Sequence, residues 1–155
     1  MKPGDSQLAF ASIAEIGKLF RKRTLSPIEL TRHVLDRIRE FNPKLNAYLT
    51  VCEVTALEQA AAAEREFGGK SRSSKRGDRG PLHGIPISLK DNIFTAGVRT
   101  TGGSKILGAF VPPHDAPVVR SLKQAGAIIL GKTNMHEFAY GVTTENPHFG
   151  AARNP

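Results

Sequence analysis

Residues 80–92, GPLHGIPISLKDN, hold a Gly-Pro turn, a short apolar run and a lone lysine. Ile85, Ile87 and Leu89 are strand formers bounded by Gly84 and Asp91, which predicts a short buried strand. Pro86 cannot donate to a ladder, so it belongs at the start or on an edge of that strand. Alternation places Pro86, Ser88 and Lys90 on one face and Ile85, Ile87 and Leu89 on the other. Two readings of Lys90 stand at this point. Removed from water, its amine would lose its proton more easily and become a base. Alternatively, its ammonium snorkels to solvent or pairs with Asp91.

Downstream, Thr95–Gly97 predicts a turn, and TTGGSK is a Gly-rich loop leading to a short helix near 105–107. Such a loop can hold an anion on its amides, although Gly-Gly alone is a weak signal. Asp115 is placed to cap a helix through Val118, Val119 and Leu122 that ends at Gly126. Ala127–Leu130 then reads as a buried strand. Strand, helix and strand in this order form a crossover unit, so the two strands should run parallel in one sheet.

Upstream, the chain reads as scaffold. Ser12 and Glu15 form a capping box for a helix with Ile13, Ile16, Leu19 and Phe20 on its apolar stripe. Arg21, Lys22 and Arg23 fall in its last turn, where they complement the helix dipole. Ser26 and Glu29 form a second box, with Pro27 at the first helical position and Leu25 and Leu30 spaced as a hydrophobic staple. That helix is expected to stop at Asn42-Pro43. A short strand within 45–51 and an Ala-rich helix from Glu53 to Phe67 complete the opening.

Four stretches, GPLHGIPISLKDN, TAGVRTTGGSK, FVPPHDAPVVRSLKQAGAIILGKTNMHEFAYG and TENPHFGAARNP, span Gly80 to Pro155. In order and spacing they resemble the amidase signature family, whose members hydrolyse amides with a Ser–cis-Ser–Lys triad. The resemblance implies an α/β fold, helices around an incomplete mixed, mostly parallel sheet. It implies that Lys90 is the triad lysine, and that Gly141, Val142 and Thr143, after the Met135–Tyr140 segment, line the acyl pocket. The Gly/Ser-rich segment that carries both serines and the oxyanion amides in the family follows the ARNP stretch, where this sequence stops. The chain therefore resembles the N-terminal part of one amidase domain: residues 1–67 a helical opening with a short strand, 68–79 a basic flexible loop, 80–155 the lysine strand and crossover region. Alone, such a part is expected to be inactive. No cofactor is implied, and the partner is a small amide substrate.

Within the family, NMHEFAYGVTTENPHFG looks more like the stand-alone amidases; the alternative is the A subunit of the glutamyl-tRNA amidotransferase. A reading from another class is a non-catalytic basic interaction module. The net charge of +8 invites it, and Lys70, Arg72, Lys75, Arg76 and Arg79 oppose only Asp78 between Gly68 and Gly80. That loop has no aromatic residue for base stacking, so a solvated, mobile loop is the better reading and nucleic acid is disfavoured.

The 155 residues suit one modest domain, which buries roughly 68–70% of its unfolded surface when complete. Hydrophobic and charged contents of 39% and 23% are ordinary for a soluble protein. No apolar run approaches the roughly 20 residues of a membrane span. Glu15 interrupts the apolar character of the N-terminus, which speaks against a signal peptide. A single cysteine, Cys52, fits a reducing, cytoplasmic setting. An unfinished sheet leaves an edge that favours self-association.

Two letter-level signals fail on context. Gly126–Thr133 matches the phosphate-loop pattern, yet its four intervening residues are the apolar strand itself. His136-Glu137 begins a zinc-helix pattern, but Tyr140 stands where the second histidine belongs. Ser88, two residues from Lys90, could form a Ser-Lys pair but lacks an oxyanion donor, so a packed polar contact is favoured.

Overall fold

A computed structural model describes residues 5–68 and 79–155. Its elements are α1 (Asp5–Phe10), α2 (Ile13–Arg21), α3 (Pro27–Leu45), β1 (Tyr48–Val51), α4 (Glu53–Gly68), β2 (Pro86–Lys90), α5 (Pro117–Gln124) and β3 (Ile128–Thr133). Most of the basic stretch expected at 68–79 lies outside the described residues.

Both capping boxes form. Ser12 and Ser26 accept from the backbone N–H groups of Glu15 and Glu29, whose carboxylates accept from the serine N–H groups in return. The boxes satisfy amide groups that an uncapped helix start leaves bare. Leu25 and Leu30 are buried in one cluster with Ile16, Phe20 and Ile85, as the staple requires. Pro43 does not stop α3, contrary to expectation. The helix runs on to Leu45 and ends at Asn46, which is left-handed and donates its N–H to the Asn42 carbonyl at 2.7 Å. A proline this close to the end removes one hydrogen bond, and Asn42 offsets the loss by gripping β1. Its side chain accepts the Tyr48 N–H at 2.7 Å and donates to the Tyr48 carbonyl at 3.1 Å.

The sheet has the order β1-β3-β2. β2 pairs parallel with β3 and β1 pairs antiparallel with it, so the crossover expected through α5 is present. Pro86 is the first residue of an edge strand, where its missing donor costs nothing to the ladder. β3 is buried on both faces. Ile128 and Leu130 pack on Leu35, Ile38, Ala56 and Ala60 of α3 and α4, while Ile129 packs with Leu89 and Val119 of α5. Two alanines facing the sheet let α4 approach closely, and each fully buried Ile or Leu contributes on the order of 1.5–3 kcal/mol.

The β2–β3 register slips once. Ile87 pairs with Ile129, but Ser88 pairs with Gly131, so Leu130 is an extra residue in β3. Beyond this bulge the faces exchange: Lys132 pairs with Leu89 and turns inward, and Lys90 pairs with Thr133 on the other side. Gly131 is required there, because a Cβ would overlap the Thr50 carbonyl oxygen of β1.

Two further expectations are corrected. Residues 105–107 form turns rather than a helix. Asp115 does not cap α5: Ala116 is the cap residue, and Asp115 binds the Ala96 N–H at 2.8 Å and the Lys123 ammonium at 2.7 Å. Pro117 fixes the first helical position of α5, which leaves the carboxylate free to hold two other segments together. The Met135–Tyr140 segment holds a 3-10 turn at Glu137–Ala139. Its Phe138 has a φ of 49° and is more than half exposed.

Gly131→Ala should destabilise the chain by about 1–3 kcal/mol in urea unfolding. A wild-type midpoint in that variant would mean that the bulge tolerates a side chain. β1 and β2 both present an unpaired edge among the described residues, so light scattering should show concentration-dependent association. A monodisperse monomer at high concentration would count against it.

Candidate functional site

Lys90 is the last residue of β2, and its side chain is exposed. The strand turns directly after it. The Asp91 N–H donates to the Thr133 carbonyl at 3.1 Å, and the Ile93 N–H donates to the Lys90 carbonyl at 2.9 Å. Lys90 does not pair with Asp91, whose side chain is fully buried. The Asp91 Oδ2 accepts from the Thr101 N–H at 3.0 Å and from the Thr101 hydroxyl. Its Oδ1 is buried with no hydrogen-bond partner among the described residues. Ser88 forms no Ser-Lys pair; its hydroxyl is hydrogen-bonded to that of Tyr48, which reaches from β1 past Gly131.

The Gly-rich loop is no anion cradle. Gly102 and Gly103 adopt φ values of 61° and 71°, open to glycine at little cost, and all three amides of the turn are already used. The Gly102 N–H donates to the Asp91 carbonyl at 3.0 Å, and those of Gly103 and Ser104 donate to Thr101 at 3.0 Å. The turn supports its neighbours instead. The Gly102 carbonyl accepts the Phe138 N–H at 2.7 Å, and the Gly103 carbonyl accepts from the buried Asn146 amide at 2.7 Å.

This ties the loop carrying Gly141, Val142 and Thr143 to Asp91, the neighbour of Lys90. Val142 and Thr143 are exposed and Gly141 half-buried against the His136 ring. Exposed Ile106, Phe138, Tyr140 and Val142 give the surrounding surface an apolar character. Glu137 lies nearby, and its carboxyl is held below the usual range, first by a hydrogen bond from Ser104 and then by His148 at 3.1 Å. A cleft of about 530 Å³ at the start of α3, lined by Arg23, Ser26, Arg32 and Phe67, includes none of these residues.

The residue that sequence reasoning missed is Lys132. It appeared there only as the lysine of a false phosphate loop, whose residues from Ile128 onward form β3. Its side chain is fully buried, and its ammonium donates to the Ile93 carbonyl, to Thr100 Oγ1 at 2.9 Å and to Thr95 Oγ1 at 3.4 Å. Burial pushes its pKa down to about 8, against the opposing pull of Asp91 and Cys52. Burial in turn pushes the Cys52 thiol up, with Lys132 opposing. Four apolar residues running straight into Gly-Lys were the available signal for a lysine on a strand buried on both faces.

The chain has relatives among known proteins. The amidase family model matches residues 29–155. The A subunit of a glutamyl-tRNA(Gln) amidotransferase from Dehalococcoides mccartyi is 47% identical over 150 residues, covering 97% of this chain and 29% of that protein. The peptide amidase structure from Stenotrophomonas maltophilia matches with a TM-score of 0.84 at 33% identity, over 97% of this chain and 31% of that one. A fatty acid amide hydrolase structure matches in fold, with a TM-score of 0.86 at 24% identity over all of this chain and 26% of that one. The chain thus spans under a third of the length of the curated relatives it matches.

The Lys132 shift sets a pH window. With a folded pKa near 8 and an ordinary lysine value near 10.4 when unfolded, the unfolded chain binds more protons between these limits. Stability contributed at this site therefore rises with pH across the window, by on the order of 3 kcal/mol. Lys132→Met should flatten that rise in denaturant titrations at pH 7 and pH 10. Wild-type pH dependence in the variant would assign the effect elsewhere.

Proposed function

This chain belongs to the amidase family, and we propose that it supplies the lysine base of a C–N hydrolase that works through an acyl-enzyme. The observation that carries the reading is Lys90, exposed at the end of the family-matched β2, on a turn fixed by Asp91. In this scheme Lys90 acts as the base and takes a proton from a bridging serine held by a cis peptide. That serine in turn takes the proton of the nucleophilic serine. The nucleophile's oxygen bonds to the carbonyl carbon, and backbone amides hold the oxyanion. The C–N bond breaks as the proton passes to the leaving nitrogen, and water then releases the acid. No residue of 1–155 is assigned to either serine or to the oxyanion amides. Gly141, Val142 and Thr143 are proposed as the acyl-pocket wall, because their loop is tied through Gly102–Gly103 to the Lys90 turn. No cofactor enters the scheme. The substrate is a small carboxamide, and a cytoplasmic setting suits the single cysteine. Among the described residues no helix is long and apolar enough to cross a membrane.

A second reading, the A subunit of a glutamyl-tRNA amidotransferase, is favoured by the 46–47% identity of the Coxiella burnetii and Dehalococcoides mccartyi proteins. The solved peptide amidase, by comparison, is 33% identical. Ammonia release from simple primary amides and from glutamine separates the two readings. Residues 1–155 alone should match their Lys90→Ala variant at background. Grafted in place of the matching N-terminal part of the peptide amidase or of the amidotransferase relative, they should restore hydrolysis. Lys90→Ala should then remove up to about 10⁶-fold in rate, the scale of losing a member of such a catalytic unit. Turnover by residues 1–155 alone, or a graft indifferent to Lys90, would overturn the proposal. Restored cleavage of glutamine but not of simple amides would select the second reading.

A further inference from the structure

We infer that Lys132 is a positioning residue: its buried ammonium clamps the 91–101 loop and so fixes the turn that presents Lys90. Donors and acceptors match in number at the buried nitrogen. An ammonium has three N–H donors and no acceptor. Three oxygens meet it: the Ile93 carbonyl, Thr100 Oγ1 at 2.9 Å and Thr95 Oγ1 at 3.4 Å. Neither hydroxyl has a proton to spare for the nitrogen. Thr95 Oγ1 donates to the Ile93 carbonyl at 3.1 Å, and Thr100 Oγ1 donates to the Val98 carbonyl at 3.0 Å. All three partners therefore act as acceptors. The set matches –NH₃⁺, whereas a neutral amine would leave one acceptor unmet and turn a lone pair towards oxygen.

The clamp acts on Lys90 through the backbone. Ile93 donates its N–H to the Lys90 carbonyl at 2.9 Å and offers its own carbonyl to Lys132, so a single residue links the two lysines. Thr100 brings in the far end of the loop, where Thr101 and Gly102 bond to Asp91. Lys132 reaches the loop only because the bulge before Gly131 turns it to the face of Leu89. The titratable groups acting on the ammonium are Asp91 in the turn and Cys52 after β1, and both favour its charge. A lysine that only filled space here would be better replaced by a hydrophobe, because burying a charge is costly unless its partners are in place.

Lys132→Met keeps the length of the side chain and removes every donor. Amide hydrogen exchange on the full chain at pH 6.5 reads the clamp, independently of any catalytic assignment. Exchange at Ile93, Thr101 and Gly102 should accelerate at least tenfold while Ile129 in β3 is unchanged. Thr100→Val, which removes one acceptor at similar volume, should give a smaller acceleration at the same amides. It also keeps the test open if Lys132→Met fails to fold. Unchanged exchange at these three amides in a folded variant overturns the clamp. The positioning role rests on the amidase reading and is tested in the graft that restores hydrolysis. There Thr100→Val and Lys132→Met should lower kcat several-fold with KM retained. Faster exchange with kcat unchanged would leave a structural clamp and overturn the positioning role. A graft inactive even with the native residues would overturn the amidase reading, while the exchange result stands.

Discussion

The parallel pairing of β2 with β3, interrupted by one extra residue before Gly131, is the constraint on which the arrangement depends. Side chains alternate along a strand, so a single bulge exchanges the faces of everything after it. Without it, Lys132 would lie on the face of Ile128 and Leu130, among the apolar residues of α3 and α4. With it, Lys132 turns under the loop that follows β2. Gly131 permits this because the Thr50 carbonyl occupies the space a Cβ would need.

The two lysines then have opposite environments. Lys90 stays in contact with solvent on the outer face. Lys132 is stripped of water, and three oxygens take the place of its hydration. Around it runs a nearly continuous set of buried polar contacts. Asp91 binds Thr101, Thr101 shapes the Gly102–Gly103 turn, and that turn anchors Phe138 and Asn146. Strand end, Gly-rich turn and the loop to residue 143 are thereby held as one unit by bonds that water would weaken. The Asp91 Oδ1, without a partner among the described residues, is the exception within that web.

Local rules read the helical opening well. Capping boxes and the Leu25–Leu30 staple depend on neighbours three to five residues apart, and these form as their spacing predicts. The crossover also followed from element order, because handedness and connectivity leave few alternatives. What failed depended on distant partners. Pro43 is carried inside α3 because Asn42 grips β1, and Asp115 is drawn from the α5 cap by Ala96 and Lys123. α1 is too short to show a helical period. The inward turn of Lys132 was invisible because alternation holds only while the register does. At the site, motif resemblance supplied Lys90 and the 141–143 loop. Composition and spacing alone had left Lys90 between a base and a solvated strand end.

A crystal structure of this chain joined to the Gly/Ser-rich segment of a family member tests the central claim most directly. The account predicts a serine Oγ within hydrogen-bond reach of Lys90 Nζ, about 2.6–3.2 Å. Lys132 should remain buried beneath the 91–101 loop. A Lys90 that stays in solvent or pairs with a carboxylate, while another base meets the serine, would contradict it.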